Sequence, residues 1–184
     1  MTSGAEWYQQ YLAGDDEGLI QLVREYKDSL TRFLCAYVRD EQTAEELTEE
    51  VFFRLAVKKP RYDGKSLFRT WLFAIGRNLA YDHLRRQKKA REVPFTDLDI
   101  LPTLDTPDRA CERKMVHEKL YQALGRMPLI QREALHLCYF SGLSADGIAR
   151  VMGKTRRQVE NLLYQARKRL KNELVKGGFS CEDL

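Results

Sequence analysis

The chain has 184 residues, which is enough for one ordinary domain or two small ones. Its net charge of +4 hides an alternation: residues 1–60 carry −5, 61–91 carry +7, 92–112 carry −5, 113–178 carry +9, and the tail 179–184 carries −2. Two basic segments are typical of a protein that binds nucleic acid at two sites, because neutralising phosphates releases counterions. The charges alone fit solvated helix faces equally well.

Cysteine and histidine spacing argues against a metal or cofactor site. The chain has four cysteines, and they form no C-x-x-C pair: Cys35, Cys111, Cys138 and Cys181. Cys35 and Cys138 fall inside apolar helical patterns, which predicts reduced thiols in the core. The histidines are isolated from one another: His83, His117 and His136. No secretory signal pattern opens the chain, and the longest uncharged run, residues 134–145, is far below the ~20 residues that span a membrane. We expect a cytoplasmic protein without membrane insertion.

Three amphipathic helices are predicted in the N-terminal half. The first follows Asp15 or Asp16 as a cap and carries one apolar stripe: Leu19, Leu22, Val23, Tyr26, Leu30, Phe33, Leu34, Tyr37 and Val38. The second is predicted to begin with a capping box of Thr43 and Glu46 and to bury Leu47, Val51 and Leu55. The third begins near Ser66 and turns inward Phe68, Trp71, Leu72, Ile75 and Leu79. Together, these stripes can close one small core.

Helical periodicity stops between about Arg91 and Cys111, where prolines alternate with aspartates. Because proline restricts itself and its predecessor, residues 91–112 are expected to form an extended acidic linker. Periodicity resumes near Arg113, and Pro128 suits the first turn of a further helix. The sequence therefore predicts an all-α protein of two small helical domains, residues 1–90 and 113–178, with a linker over 91–112 and a tail over 179–184.

The second domain contains a predicted helix-turn-helix. Ser144 can cap its first helix, Gly153 supplies the sharp turn, and Thr155 with Gln158 forms a capping box for the second helix. An ordinary amphipathic hairpin is the alternative. With Thr155, the exposed side chains of the second helix are the predicted contacts to duplex DNA: Arg156, Arg157, Glu160, Asn161, Tyr164, Gln165, Arg167 and Lys168. Those on the first turns are expected to meet base edges, and later cations to meet phosphate or solvent.

Residues 61–86 interleave aromatic and basic side chains, the combination that binds single-stranded nucleic acid. Phe68 and Trp71 have core spacing, so the polar neighbours are the better candidates. Three sequence blocks occur in this order: AEELTEEVFFRLA, FRTWLFAIGRNLAYDHLRR, and MPLIQREALHLCYFSGLSADGIARVMG followed by VENLLYQARKRL. With these blocks the chain resembles the extracytoplasmic-function (ECF) sigma factors of bacterial RNA polymerase. The resemblance covers most of residues 19–172.

The resemblance implies a sigma region 2-like helical bundle joined to a sigma region 4-like helix-turn-helix domain, with no enzymatic activity. The resemblance implies that the protein binds core RNA polymerase through its β′ clamp helices and β subunit, using the carboxylates of Glu45, Glu46, Glu49 and Glu50. The alternative is that these four glutamates form a solvated helix face. Capture of the melted −10 strand, with a flipped base, is implied for Arg61, Tyr62, Asp63, Lys65, Arg69, Arg77, Asn78, Asp82, Arg85 and Arg86. The helix-turn-helix would read the −35 element as duplex promoter DNA, and an anti-sigma factor is a further implied partner.

Three positions depart from the family pattern. Glu160 and Asn161 stand where members often carry a lysine followed by serine or threonine, and Gly147 stands where glutamate is common. These departures bear on which promoter is read. A free-standing helix-turn-helix regulator, with an N-terminal domain for dimerisation or sensing, is the alternative function. A nucleic-acid-processing enzyme would need a catalytic cluster that the sequence does not display.

Overall fold

The computed structural model describes residues 3–38, 40–90, 120 and 122–177. Within those ranges every regular element is helical, which confirms the all-α expectation, and none of the helices is long and apolar enough to cross a membrane. The predicted linker, the first part of the helix expected from Arg113, and the tail lie outside the described residues.

Four helices build the N-terminal half: α1 (Gly4–Leu12), α2 (Asp16–Val38), α3 (Glu41–Lys58) and α4 (Phe68–Ala90). Helix α2 packs against the other three. The predicted apolar stripes supply most of the core, and Leu22, Leu34 and Leu72 are fully buried. Phe73, read from sequence as part of an aromatic and basic mixture, is also fully buried, because the helical turn places it against the ring of Phe33 at 5.0 Å.

Helix α1 was not anticipated from the sequence, although Ser3 and Glu6 form a complete capping box at its start. Two tyrosines fix its place in the bundle. The buried Tyr8 hydroxyl donates to the carbonyl of Pro60 at 2.8 Å, and the Tyr11 hydroxyl donates to that of Ala56 at 2.9 Å. The short helix therefore holds the end of α3 and the loop that follows it.

Two helix starts differ from the sequence prediction. The expected capping box of Thr43 and Glu46 is wrong: α3 begins at Glu41, and its cap is Asp40, whose carboxylate accepts from the backbone N–H of Thr43 at 2.7 Å. Asp40 begins a helix three residues earlier, so Thr43 is already inside the first turn. Helix α4 begins at Phe68 rather than near Ser66.

The C-terminal half contains α5 (Leu129–Leu135), which continues as a π-helical turn over His136–Phe140, then α6 (Ala145–Met152) and α7 (Arg156–Lys176). Residues 122–125 are also helical. The predicted caps are confirmed: Ser144 accepts from the N–H of Gly147, and Thr155 and Gln158 form the capping box of α7. Gly153 has φ of 63°, the left-handed conformation that the turn between α6 and α7 requires.

The two halves pack against each other. Helix α5 and its π-helical extension lie on α2, and α6 lies on α4, so the buried residues of both halves form one continuous cluster. We call this contact the domain interface. It was not predicted from the sequence, which indicated two separate cores.

His136 lies in the π-helical turn and is 5% exposed, with its ring stacked on Phe140 at 4.5 Å. Burial, reinforced by the positive charges of Arg132 and Arg32, lowers the pKa of His136 from 6.5 to about 4. The folded protein therefore contains neutral His136, whereas the unfolded chain protonates it below pH 6.5.

We expect acid to destabilise the protein partly through His136. Because the pKa of His136 is lower in the folded state, its contribution to the free energy of unfolding is fully present above pH 6.5 and is lost as the pH falls toward 4. Between pH 7 and pH 5 the wild type should lose about 2 kcal/mol more free energy of unfolding than His136→Gln. Urea unfolding followed by circular dichroism at both pH values measures this, and parallel losses in the two proteins would contradict it.

Candidate nucleic-acid and polymerase interfaces

The helix-turn-helix presents a continuous polar surface along α7. All nine side chains predicted to contact duplex DNA are exposed, and we call them the recognition surface: Thr155, Arg156, Arg157, Glu160, Asn161, Tyr164, Gln165, Arg167 and Lys168. The opposite side of α7 is buried through Val159, Leu163 and Ala166. The helical period therefore separates a packed stripe from a surface free to enter a groove.

Arg156 is held by two carboxylates on this surface. Its Nε donates to Glu160 at 2.8 Å within α7, and its Nη1 donates to Asp146 of α6 at 3.3 Å. These contacts raise the pKa of Arg156, first through the hydrogen bond that it donates to Glu160 and then through the charge of Asp146. All three side chains are more than half exposed, so solvent weakens the pairs, and a guanine edge can compete for the guanidinium.

Further along α7, Arg167 is engaged by an exposed aromatic side chain that the sequence did not single out. Its Nε donates to the Tyr139 hydroxyl at 2.8 Å, and its guanidinium carbon lies 5.6 Å from the centroid of the Tyr139 ring. Tyr139 is 61% exposed. The contact orients a cation at the solvent surface, where a phosphate can reach it.

The acidic face on α3 consists of Glu45, Glu46, Glu49 and Glu50. The first three are exposed, and Glu50 is half-buried where it accepts from Arg54 Nε at 2.8 Å. Phe53 and Val57 follow Glu49 at spacings of four residues, and their side chains are 57% and 61% exposed. Apolar side chains in line with a charged row are typical of a protein-docking surface. Sequence reasoning missed both, although their outward position follows from the period of the helix.

The loop between α3 and α4 carries four candidates for strand capture. Arg61, Asp63 and Lys65 are exposed, and Asp63 accepts from the backbone N–H of Lys65 at 3.1 Å. Tyr62 is half-buried: its ring contacts Phe68 and Trp71 at 5.4 and 5.3 Å, and its hydroxyl donates to the carbonyl of Ser66. An aromatic cluster therefore fixes the loop, while its charged side chains face solvent.

The candidates on α4 occupy two sides of the helix. Asn78, Arg85 and Arg86 are exposed, and the half-buried Asp82 lies 3.7 Å from Arg85. Arg69 and Arg77 are half-buried, and the guanidinium of Arg69 lies over the rings of Tyr26 and Phe73. The exposed candidates on α4 therefore lie further along the helix from the α3–α4 loop, which precedes its first turn.

Arg77 is not free. Its Nε donates to Oε1 of Glu133, in the other half of the molecule, at 2.5 Å, and the Tyr81 hydroxyl donates to Oε2 of the same carboxylate at 3.2 Å. Burial by itself lowers the pKa of Arg77, but the hydrogen bond and charge of Glu133 outweigh it, and the pKa is raised. Burial and the same carboxylate raise the pKa of Tyr81. Sequence reasoning missed Glu133, which has no signal other than a charge within an apolar helical pattern.

Comparison with known proteins defines the class. The sigma-70 region 2 family model matches residues 22–90, and the sigma-70 region 4 model matches residues 117–170. The probable RNA polymerase sigma-C factor of Mycobacterium bovis is 32% identical over 141 residues, an alignment covering 76% of this chain and 74% of that protein. The chain therefore belongs to the ECF sigma factors of the sigma-70 family.

One further relative fits the same family, and one solved structure shares the fold. The ECF RNA polymerase sigma factor BldN of Streptomyces coelicolor is 30% identical over 164 residues, covering 88% of this chain and 62% of BldN, so the chain spans less than two thirds of that protein. The sigma factor RpoE of Bartonella quintana, in a co-crystal structure with the anti-sigma factor NepR, has a TM-score of 0.67 at 24% identity. That match covers 86% of this chain and 97% of RpoE, and it supports the fold. Family membership favours a promoter-directing sigma factor over a free-standing regulator.

Proposed function

We propose that this protein binds core RNA polymerase and directs it to promoters by reading the −35 element as duplex and the −10 element as a separated strand. The observation that carries the proposal is the helix-turn-helix, in which a capping box holds α7 with its entire recognition surface exposed. The protein supplies recognition and strand capture without enzymatic chemistry, which polymerase performs. Its place of action is the cytoplasm, where polymerase and the chromosome are found.

The acidic face is proposed to dock on the β′ clamp helices, with further contacts to the β subunit. Exposed carboxylates of α3 can pair with basic side chains, and such rim pairs steer association. Phe53 and Val57 extend the same surface, and burying the exposed parts of their side chains against a partner would add roughly 1–2 kcal/mol each. Charge would then guide the encounter while apolar contact strengthens the complex.

The −10 strand is proposed to lie across the α3–α4 loop and the exposed side of α4. Backbone phosphates would meet Arg61, Lys65 and Arg85, and Asn78 supplies an amide that can read a base edge. Extracting one base costs a few kcal/mol, which stacking and hydrogen bonds in a pocket can offset without ATP. The packing of Tyr62 on Phe68 and Trp71 supports this assignment, because a loop that is already ordered loses little entropy on binding.

The proposed domain division, linker and regulatory partner complete this function. Residues 1–90 and 113–178 are the functional domains, and the acidic segment 92–112 connects them along the polymerase. Its net charge of −5 mimics nucleic acid. An anti-sigma factor is a further proposed partner, by analogy with the sigma factor RpoE of Bartonella quintana, which was co-crystallised with the anti-sigma factor NepR.

Run-off transcription with purified core polymerase tests the function directly. We expect promoter-dependent initiation only when the protein is added to core polymerase. If the protein shifts duplex DNA on its own yet supports no initiation at any promoter of a randomised library, it is a free-standing regulator and the proposal is wrong.

The double variant Glu49→Lys with Glu50→Lys should weaken binding to core polymerase at least about tenfold, because it replaces attraction by like-charge repulsion at the docking surface. Competition against a fluorescent sigma factor for core polymerase measures the affinity. Glu25→Lys with Asp28→Lys is the matched control, since it makes the same charge change at exposed positions of α2. Equal affinities of the two double variants would contradict the docking assignment.

Arg156→Ala should change the preferred −35 sequence by about 1–3 kcal/mol at one base pair, the usual value of a bidentate base contact. Selection from a promoter library randomised at the −35 element reads the preference. Lys171→Ala serves as the control: it lies later on α7, so it should lower the affinity for all sequences alike. An unchanged preference in Arg156→Ala would remove this residue from the base contacts.

A further inference from the structure

The strongest feature that the proposed function leaves unused is the carboxylate of Glu133. Its side chain is fully buried in the domain interface, where Arg77 and Tyr81 of α4 both donate to it. The guanidinium carbon of Arg77 also lies 4.4 Å from the centroid of the Tyr81 ring. Both donors come from the other half of the molecule, so separating the halves would leave the carboxylate without these two hydrogen bonds.

Two further contacts hold the halves together. A Cβ atom placed on Gly147 of α6 would lie 3.3 Å from Oγ1 of the buried Thr70 on α4, so glycine lets these helices approach closely. Arg150 of α6 donates a hydrogen bond to the backbone carbonyl of Lys65 in the α3–α4 loop. The interface therefore has an ion pair at one end and close helix packing at the other.

This interface adjoins the proposed strand site. Thr70, Arg77 and Tyr81 follow one line along α4, because spacings of seven and four residues return nearly to the same side of a helix. Asn78, Asp82 and Arg85 lie about 90° further around the helix. Helix α6 and Glu133 consequently cover one flank of the strand site and occupy Arg77, while the recognition surface on α7 stays exposed.

The packed arrangement cannot engage a whole promoter. The −35 and −10 elements are roughly 25 base pairs apart, which is about 85 Å along duplex DNA. Their proposed readers are carried by halves that touch each other through α4 and α6. The two halves must therefore separate before both elements can be bound.

We propose that Glu133, Arg77 and Tyr81 form a latch that keeps this protein in a closed, autoinhibited form, with Gly147 permitting the close packing that completes it. The proposal rests on the function given above. In the closed form Arg77 is withheld from DNA; separation on core polymerase exposes the strand site and leaves Arg77 free to meet a phosphate. The cost of separation lowers the apparent affinity for promoter and polymerase by the fraction of protein that is open.

A disulfide across the interface tests whether opening is required. In a variant without the native cysteines, Thr70→Cys with Gly147→Cys places two thiols within bonding reach. The oxidised protein should lose at least about tenfold in run-off transcription with core polymerase, and reduction should restore it. Each single-cysteine variant, oxidised in parallel, is the control. Full activity of the oxidised double variant, with the disulfide verified by mass, would overturn the proposal.

Spin labels on exposed positions of the two halves, Gln42→Cys and Asn172→Cys, test the latch without any assay of function. In the same cysteine-free background, we expect one short distance in the parent, a population at longer distances in Glu133→Gln, and no change in Glu173→Gln, a carboxylate outside the interface. Gly147→Glu should open the protein without touching the buried carboxylate, which covers the case in which Glu133→Gln does not fold. Parent-like distances in every folded variant would refute the latch.

The two measurements separate the latch from the proposed function. If the parent initiates no transcription after reduction, the proposed function fails while the distances still report on closure. If it initiates normally but already shows long distances when free, the function stands and the latch is wrong.

Discussion

One buried carboxylate joins the two halves of the molecule through hydrogen bonds. Glu133 is fully buried, and its partner Arg77 is 18% exposed, so both groups have given up most of their hydration. Such a pair contributes little net stability, but removing one partner is costly because the other charge remains buried and unpaired. We infer that the Glu133 pair acts mainly on specificity, by favouring the packing of α5 that supplies two donors to the carboxylate.

The positions of the functional surfaces follow from that packing. The recognition surface and the acidic face point to solvent, whereas one flank of the proposed strand site lies against α6. Gly147 illustrates the balance of effects. Glycine weakens a helix interior by about 1 kcal/mol, yet at this position it allows contact with Thr70 that a larger side chain would obstruct. A local cost in α6 is thus offset by a contact between domains.

Sequence reasoning succeeded where local rules decide the structure. The caps at Ser144 and Thr155 and the left-handed Gly153 were predicted because short-range hydrogen bonds and backbone sterics fix them. It failed at the start of α3, where Asp40 competed with a plausible box at Thr43. It also missed α1, since only nine residues leave little periodic signal, and a helix this short needs tertiary contacts such as those of Tyr8 and Tyr11.

The sequence by itself determined the all-helical class, the helix-turn-helix and the composition of each proposed surface, because helical period and capping depend on neighbours within a few residues. Only the tertiary structure decided that Glu133 meets Arg77, that Gly147 meets Thr70 and that Phe53 and Val57 extend the acidic face toward solvent. The first two are contacts between residues more than fifty positions apart, which no local pattern encodes. The third required knowing which side of α3 the rest of the bundle leaves uncovered.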